Sequence, residues 1–214
     1  MNAARKTNNT AALLHKALEG AKSVGAETEI IHLHDYLVNG CQGCMACKML
    51  KNIPPKVCLQ KDQLTPVLEK CVYKADSLII GGPIYFMQPG GVFRSFSERL
   101  LYPYFKYGAK PGDNYYPNKS QKAGLIFTMG ASKQMIDDFT LNPKFGDSMD
   151  TWKIFYQMMF GKVEIQKVYY TFHVKNFKGY ELDCLNTPDK KQYNDQTWEK
   201  ELQAAFEMGK KLAQ

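Results

Sequence analysis

Two short apolar runs, Asp76-Ser-Leu-Ile-Ile-Gly-Gly82 and Lys122 to Met129, each lead into glycine. A run this short, with apolar residues at both alternating positions, marks a strand buried on both faces, and such strands belong to parallel sheets. Parallel neighbours need a crossover of a dozen or more residues, usually a helix, so helices are expected on both faces. The chain supplies them. Thr10 to Val24 places Leu13, Leu14, Ala17, Leu18 and Ala21 on one helical face and stops at Gly25. Asp62 is positioned to cap a helix running to about Lys74, with Pro66 tolerated in its first turn. Val92 to Leu101 and Met149 to Phe160 follow, and Gln196 to Leu212 turns Trp198, Leu202, Ala205, Phe206 and Leu212 inward. Glu27 to Leu33 and Val163 to Val174 read as further strands. No repeat or linker interrupts the pattern, so 214 residues form one α/β domain over 1–214.

Net charge narrows the partners. A surplus of +7, from 28 Lys and Arg against 21 Asp and Glu, suits phosphorylated small molecules. The lysines are scattered and no zinc-finger or RNP-type motif accompanies them, so nucleic acid is not an expected partner. No apolar run approaches the ~20 residues that span a bilayer, and no apolar segment follows Met1, so the expectation is a soluble cytoplasmic protein with no membrane partner. Tyr and Phe gather between Tyr102 and Tyr116 and between Trp152 and Phe177, which suits a planar ligand or an aromatic interface.

Cysteines gather in one loop: Cys41-Gln-Gly-Cys44-Met-Ala-Cys47, then Cys58. Structural zinc sites use separate Cys-x2-Cys knuckles, whereas overlapping x2 spacings are those of iron–sulfur loops. The segment is rich in Lys, Gly, Asn and Pro, so burial in a core explains these thiols poorly, though plain thiols and zinc both stay open. Cys71 and Cys184 stand alone and read as small core residues.

In open α/β sheets ligands bind beyond the carboxyl ends of the strands. Asn2-Ala-Ala-Arg-Lys-Thr-Asn-Asn-Thr10 runs straight into a helix, whose free amides attract a phosphate; Arg5 adds a fork, and Asn9 and Thr10 add side-chain donors. Gly82-Pro-Ile-Tyr-Phe-Met-Gln-Pro-Gly-Gly91 follows a buried strand with an aromatic pair. Thr128-Met-Gly-Ala-Ser132 ends the next strand with small residues that let a flat ring approach. The glycine pattern of a dinucleotide turn is absent.

In order and spacing these stretches resemble the flavodoxin-like NAD(P)H-dependent FMN reductases, specifically their iron–sulfur flavoprotein branch. The resemblance runs through essentially the whole chain. It is carried by Arg5, Asn9 and Thr10; by Cys41, Cys44, Cys47 and Cys58; by Asp62; by Pro83, Ile84, Tyr85 and Phe86; and by Thr128, Gly130 and Ala131. It implies a flavodoxin-like three-layer sandwich with strand order 2-1-3-4-5. It also implies FMN, with Arg5, Asn9 and Thr10 at the phosphate. Pro83, Ile84, Tyr85, Phe86 and Met87 then edge the ring on one side, and Thr128, Met129, Gly130 and Ala131 on another. NAD(P)H is the implied co-substrate, with a quinone, a flavin or a protein as electron acceptor. Cys41, Cys44, Cys47 and Cys58 are the implied ligands of a 4Fe-4S cluster, and a homodimer or dimer of dimers the implied assembly. Hydride transfer needs no catalytic acid or base, and none is assigned.

Three departures from the family pattern stand out. The family's first strand is absent: the chain starts at the phosphate loop, so a truncated start is expected. That strand is central in the order, and its loss leaves unpaired backbone on two neighbours. Ala3 replaces the usual loop serine, and the gap from Cys47 to Cys58 is long. Two other readings stay open: a non-enzymatic flavin and iron–sulfur electron carrier, and a chain that no longer binds a cofactor.

Overall fold

The computed structural model describes residues 6–52, 57–107, 115–116, 120–140 and 147–214. In chain order its elements are α1 (Asn9–Lys22), α2 (Thr65–Tyr73), β1 (Ser77–Tyr85), β2 (Gln88–Pro89), α3 (Gly91–Leu101), β3 (Lys122–Thr128), α4 (Lys133–Thr140), α5 (Ser148–Phe160), β4 (Val163–Val168) and α6 (Pro188–Leu212). The sheet order is β2-β1-β3-β4. β1, β3 and β4 are parallel, with Gly81 opposite Ile126 and Ile126 opposite Gln166, and β2 is a short antiparallel return.

Strand alternation builds two cores. Ile80, Ala123, Leu125 and Phe127 face Val67 and Leu68 of α2, Phe93, Phe96 and Leu100 of α3, and Met149, Tyr156 and Met159 of α5. Ile126 and Val168 face Ala11, Leu14 and Ala17 of α1 and Ala205, Met208 and Leu212 of α6. Helices therefore cover both faces, the flavodoxin-like three-layer arrangement that the apolar runs demand. α1 and α6 cross with their backbones nearly touching: a Cβ on Gly209 would stand 1.7 Å from Ala17 O, and one on Gly20 1.9 Å from Phe206 O. Asp147 caps α5 by accepting from the amides of Met149 and Asp150 at 2.8 and 3.2 Å. Thr187 caps α6, which starts at Pro188, well before the expected Gln196.

The expected strand Glu27 to Leu33 is not a strand. Ala26, Thr28, Ile30 and His32 are half-buried and Glu27 and Glu29 exposed, a strand-like alternation, but no ladder forms, and Leu33–Asp35 is a 3-10 turn. In the order 2-1-3-4-5 this segment pairs with the first strand, and no such strand lies among the described residues. β1 has the matching open edge. Asp76 O accepts from Lys122 N and Pro83 O from Gly90 N, so even positions face β3 while odd positions face away from it. Ser77, Ile79 and Gly81 therefore turn their backbone groups to an edge without a partner strand among the described residues. Pro83, with no amide to offer, falls on that same edge. The β-rich run to Val174 ends as a strand at Val168. Asp62 acts before α2: its carboxylate accepts from Leu64 N at 3.0 Å, and the helix proper begins at Thr65.

Candidate functional site

The carboxyl ends of β1 and β3, the start of α1 and the loop after β4 enclose a crevice. Its walls are Asn8, Asn9 and Thr10; Pro83, Ile84 and Tyr85; Thr128, Met129 and Gly130; and Thr171, Phe172 and His173. Its empty space, counting the open mouth and the solvent in it, is about 480 Å³. Three of the sequence-predicted loops thus meet at one place.

Hydrogen bonds fix the walls. Thr10 Oγ1 and Thr128 Oγ1 lie 2.7 Å apart and buried, tying α1 to the end of β3. Asn9 Nδ2 donates to Phe172 O at 2.7 Å. Two of the three side chains expected to grip a phosphate, Asn9 and Thr10, are thereby engaged with protein partners. The start of α1 keeps its other donors: Asn8 at the N-cap makes no side-chain cap bond. Arg5 lies outside the described residues. Beyond β4, Thr171 N and Oγ1 both donate to Met129 O, at 2.9 and 3.1 Å, pinning the third loop against the second. Buried Lys190 reaches from the first turn of α6 to Gly130 O at 3.0 Å, with its ammonium 5.5 Å from the Phe172 ring centroid.

The flat ring that approaches Gly130 is that of His173: a Cβ on Gly130 would stand 2.2 Å from its Cε1. Ala131 is half-buried outside the crevice, its carbonyl accepting from Tyr170 N at 2.9 Å. Phe86 and Met87 do not line the crevice either; Met87 packs on the first core and Phe86 is fully exposed. Phe172, His173 and Lys190 were not singled out in the sequence. The first two sat within a run read as strand, and nothing local distinguishes Lys190 from the other lysines.

The second cavity carries the cysteines. Cys41, Cys44, Cys47 and Cys58 all line one small pocket, walled also by Glu98, Arg99 and Tyr102. Gly43 and Met45, at φ 65° and 58°, curl the loop around it. Burial pushes the Cys47 thiol up; Lys48 opposes this, while Cys58, Cys41 and Cys44 add to it. Arg99, from α3, is fully buried and holds Asp62 at 2.5 Å and Gln60 O at 3.1 Å. Burial works to lower its pKa, and hydrogen bonds to Asp62 and Cys58 outweigh it. Its Nε has no hydrogen-bond partner. Among the described residues no three His, Cys, Asp or Glu side chains gather as a single-metal site. His32 is half-buried and His34 exposed.

The family model of NADPH-dependent FMN reductases matches residues 1–163. An iron-sulfur flavoprotein of Archaeoglobus fulgidus is 40% identical over 99 residues, 46% of this chain and 46% of that protein. One from Methanocaldococcus jannaschii is 38% identical over 88 residues, 41% of each. The matched segments thus span less than half the length of either relative. Among solved structures, an NAD(P)H:quinone oxidoreductase from Methanothermobacter marburgensis superposes with a TM-score of 0.59 at 13% identity, covering 100% of this chain and 94% of that one. An FMN-dependent NADH-azoreductase from Bacillus anthracis, solved with FMN, gives 0.59 at 12% identity, covering 96% and 91%. At such identity these two speak for the fold. With its parallel sheet, its crevice at the strand ends and this match over most of its length, the chain belongs to the NADPH-dependent FMN reductase family.

Proposed function

We propose that the chain is an FMN-dependent oxidoreductase that draws electrons from NAD(P)H and passes them to a quinone, a flavin or a protein acceptor. The observation that carries this is the crevice at the strand ends, opening onto a helix start without a side-chain cap. Donors there suit a terminal phosphate: first-turn amides point along the helix axis toward it, and Arg5 is the cation expected beside them. Lys190, buried behind Gly130, adds positive potential to a site for an anionic ligand. Pro83, Ile84 and Tyr85 offer one wall for a flat ring, and Thr128, Met129 and Gly130 another. Bound FMN supplies the hydride-accepting and electron-donating chemistry; the chain's part is to orient it and to limit water access. Fluorescence titration tests the reading. FMN binds at least about tenfold tighter than riboflavin if the phosphate is held by charge-assisted bonds worth roughly 1.5–3 kcal/mol. Equal affinities would defeat the phosphate assignment, and no uptake of either would defeat the function.

The cysteine pocket favours a second component. Four thiols line one cavity and a buried arginine with an unpaired Nε faces them, a donor set that suits an anionic 4Fe-4S cluster on Cys41, Cys44, Cys47 and Cys58. A four-iron cube holds its cysteines farther apart than a single ion does, so thiols spread around a cavity are compatible with it. Reconstitution with iron and sulfide should load about four irons per chain, as a cube requires, with loading lost in Cys44→Ala. Wild-type protein that takes up no iron reduces the chain to a plain FMN reductase. The assembly we propose is a homodimer through α5, whose Ile154, Phe155 and Met158 are exposed together.

A further inference from the structure

Lys190 has a placement that the packing of α6 does not explain. It sits in the first turn of that helix, just after the Thr187 cap. Aligned peptide dipoles make the start of a helix positive, so a cation there is disfavoured. Lys190 is also only 1% exposed, and burying an ammonium is costly. A methionine of similar length would avoid both costs. The charge nevertheless has a definite address. Nζ donates to Gly130 O at 3.0 Å and lies 5.5 and 5.8 Å from the ring centroids of Phe172 and Tyr170. Gly130 and Phe172 are walls of the crevice on two different loops. The ammonium thus underlies two walls and is withheld from the water that would screen it. Fastening those loops together is a task already filled by other bonds. Thr171 N and Oγ1 donate to Met129 O, and Tyr170 N donates to Ala131 O.

We propose that Lys190 is a positioning residue that, acting through Gly130, favours the reduced form of the bound flavin ring over the oxidised form. The inference rests on reading that crevice as the flavin site. When the nicotinamide gives up a hydride, two electrons and a proton pass to a neutral flavin ring, which gains one negative charge. The nicotinamide ring becomes the oxidised cation. A positive charge fixed in a wall that excludes water stabilises the charged ring far more than the neutral one. The phosphate of FMN carries the same charge in both states, so its attraction to Lys190 cancels between them. Lys190 therefore raises the reduction potential of the bound ring without touching it.

Two substitutions separate the charge from the contact. Lys190→Met removes both at similar side-chain length, whereas Lys190→Gln keeps a donor for Gly130 O and removes only the charge. Each protein is loaded with FMN, and the potential of the bound ring is read during anaerobic reduction against a dye of known potential. A loss of fold alone would not move that potential in protein that still holds FMN. Both variants should bind reduced FMN, relative to oxidised FMN, about tenfold less tightly than wild type does, a fall of about 30 mV for a two-electron couple. FMN uptake with an unchanged potential in Lys190→Met overturns the inference and leaves the flavin site standing. A wild-type potential in Lys190→Gln overturns the role of the charge, because the hydrogen bond would then suffice. Should Lys190→Met not fold, Lys190→Gln decides alone. Failure of the wild-type protein to take up FMN overturns the flavin reading and this inference with it.

Discussion

Asp62 and Arg99 show how far one residue's role can be read from its neighbours. Asp62 was expected to cap α2, and its carboxylate does accept from Leu64 N at the entry to that helix. Its larger partner lies 37 residues away, where no local pattern points: the guanidinium of Arg99, fully buried, at 2.5 Å. The four cysteines were legible because their spacing is local, whereas Arg99 beside them was not. Burial works to raise the Asp62 pKa, but Arg99 and the amides of Leu64 and Thr65 outweigh it and hold it below its ordinary value. A carboxylate with a depressed folded pKa contributes stability that is present above its unfolded pKa of 3.8 and lost as pH falls through the folded one. Asp62→Asn should therefore cost about 3–5 kcal/mol near neutral pH, because it leaves Arg99 buried and uncompensated. The difference from wild type should shrink below pH ~4, where the wild-type carboxylate also protonates. Urea titrations at several pH values give both numbers, and a constant gap down to pH ~2 would sink the assignment.

At the scale of elements, hydrophobic runs identified β1, β3, α1 and α5 because those elements are apolar where they pack. α4 and β2 were missed: one is polar and short, and the other is two residues held only by its partner. Glu27 to Leu33 shows the opposite error. Its pattern is that of a strand, but a strand exists only when a neighbour completes the ladder. The open edge of β1 makes this measurable by hydrogen exchange. Amides of Ile80 and Gly82, turned toward β3, should be strongly protected, whereas those of Ile79 and Gly81 should exchange faster by orders of magnitude. Uniform protection along β1 would mean that the edge is filled. The crossing of α1 and α6 gives a second test. Gly209→Ala brings a methyl into the Ala17 carbonyl, and backbone on both sides cannot yield as a side chain would. A loss of roughly 1–3 kcal/mol, toward the upper end, is expected in denaturant unfolding. An unchanged midpoint would show that the helices sit farther apart.

The whole molecule concentrates its chemistry at the strand ends and leaves apolar surface elsewhere. The site was legible from sequence to the extent that two loops follow buried strands and a third runs straight into a helix; the fourth wall, Phe172 and His173, depends on β4 stopping at Val168, whereas the sequence pattern carried that run on to Val174. The same limit applies to the surface. α5 was expected as a helix over Met149 to Phe160, and it buries Met149, Tyr156, Met159 and Phe160 against the sheet. It also exposes Ile154, Phe155 and Met158, at spacings that place them on one side of the helix. A helix apolar on two sides has more to bury than one sheet can cover. A second copy related by a two-fold axis would set this face against itself, the commonest arrangement for paired chains. Light scattering should return twice the chain mass for wild type at micromolar concentration. Phe155→Glu should return the single-chain mass, because it places a charge where the paired faces exclude water. FMN titration of the variant shows whether each crevice is complete on its own. A wild-type monomer mass ends the dimer proposal, and so does a Phe155→Glu protein that stays paired.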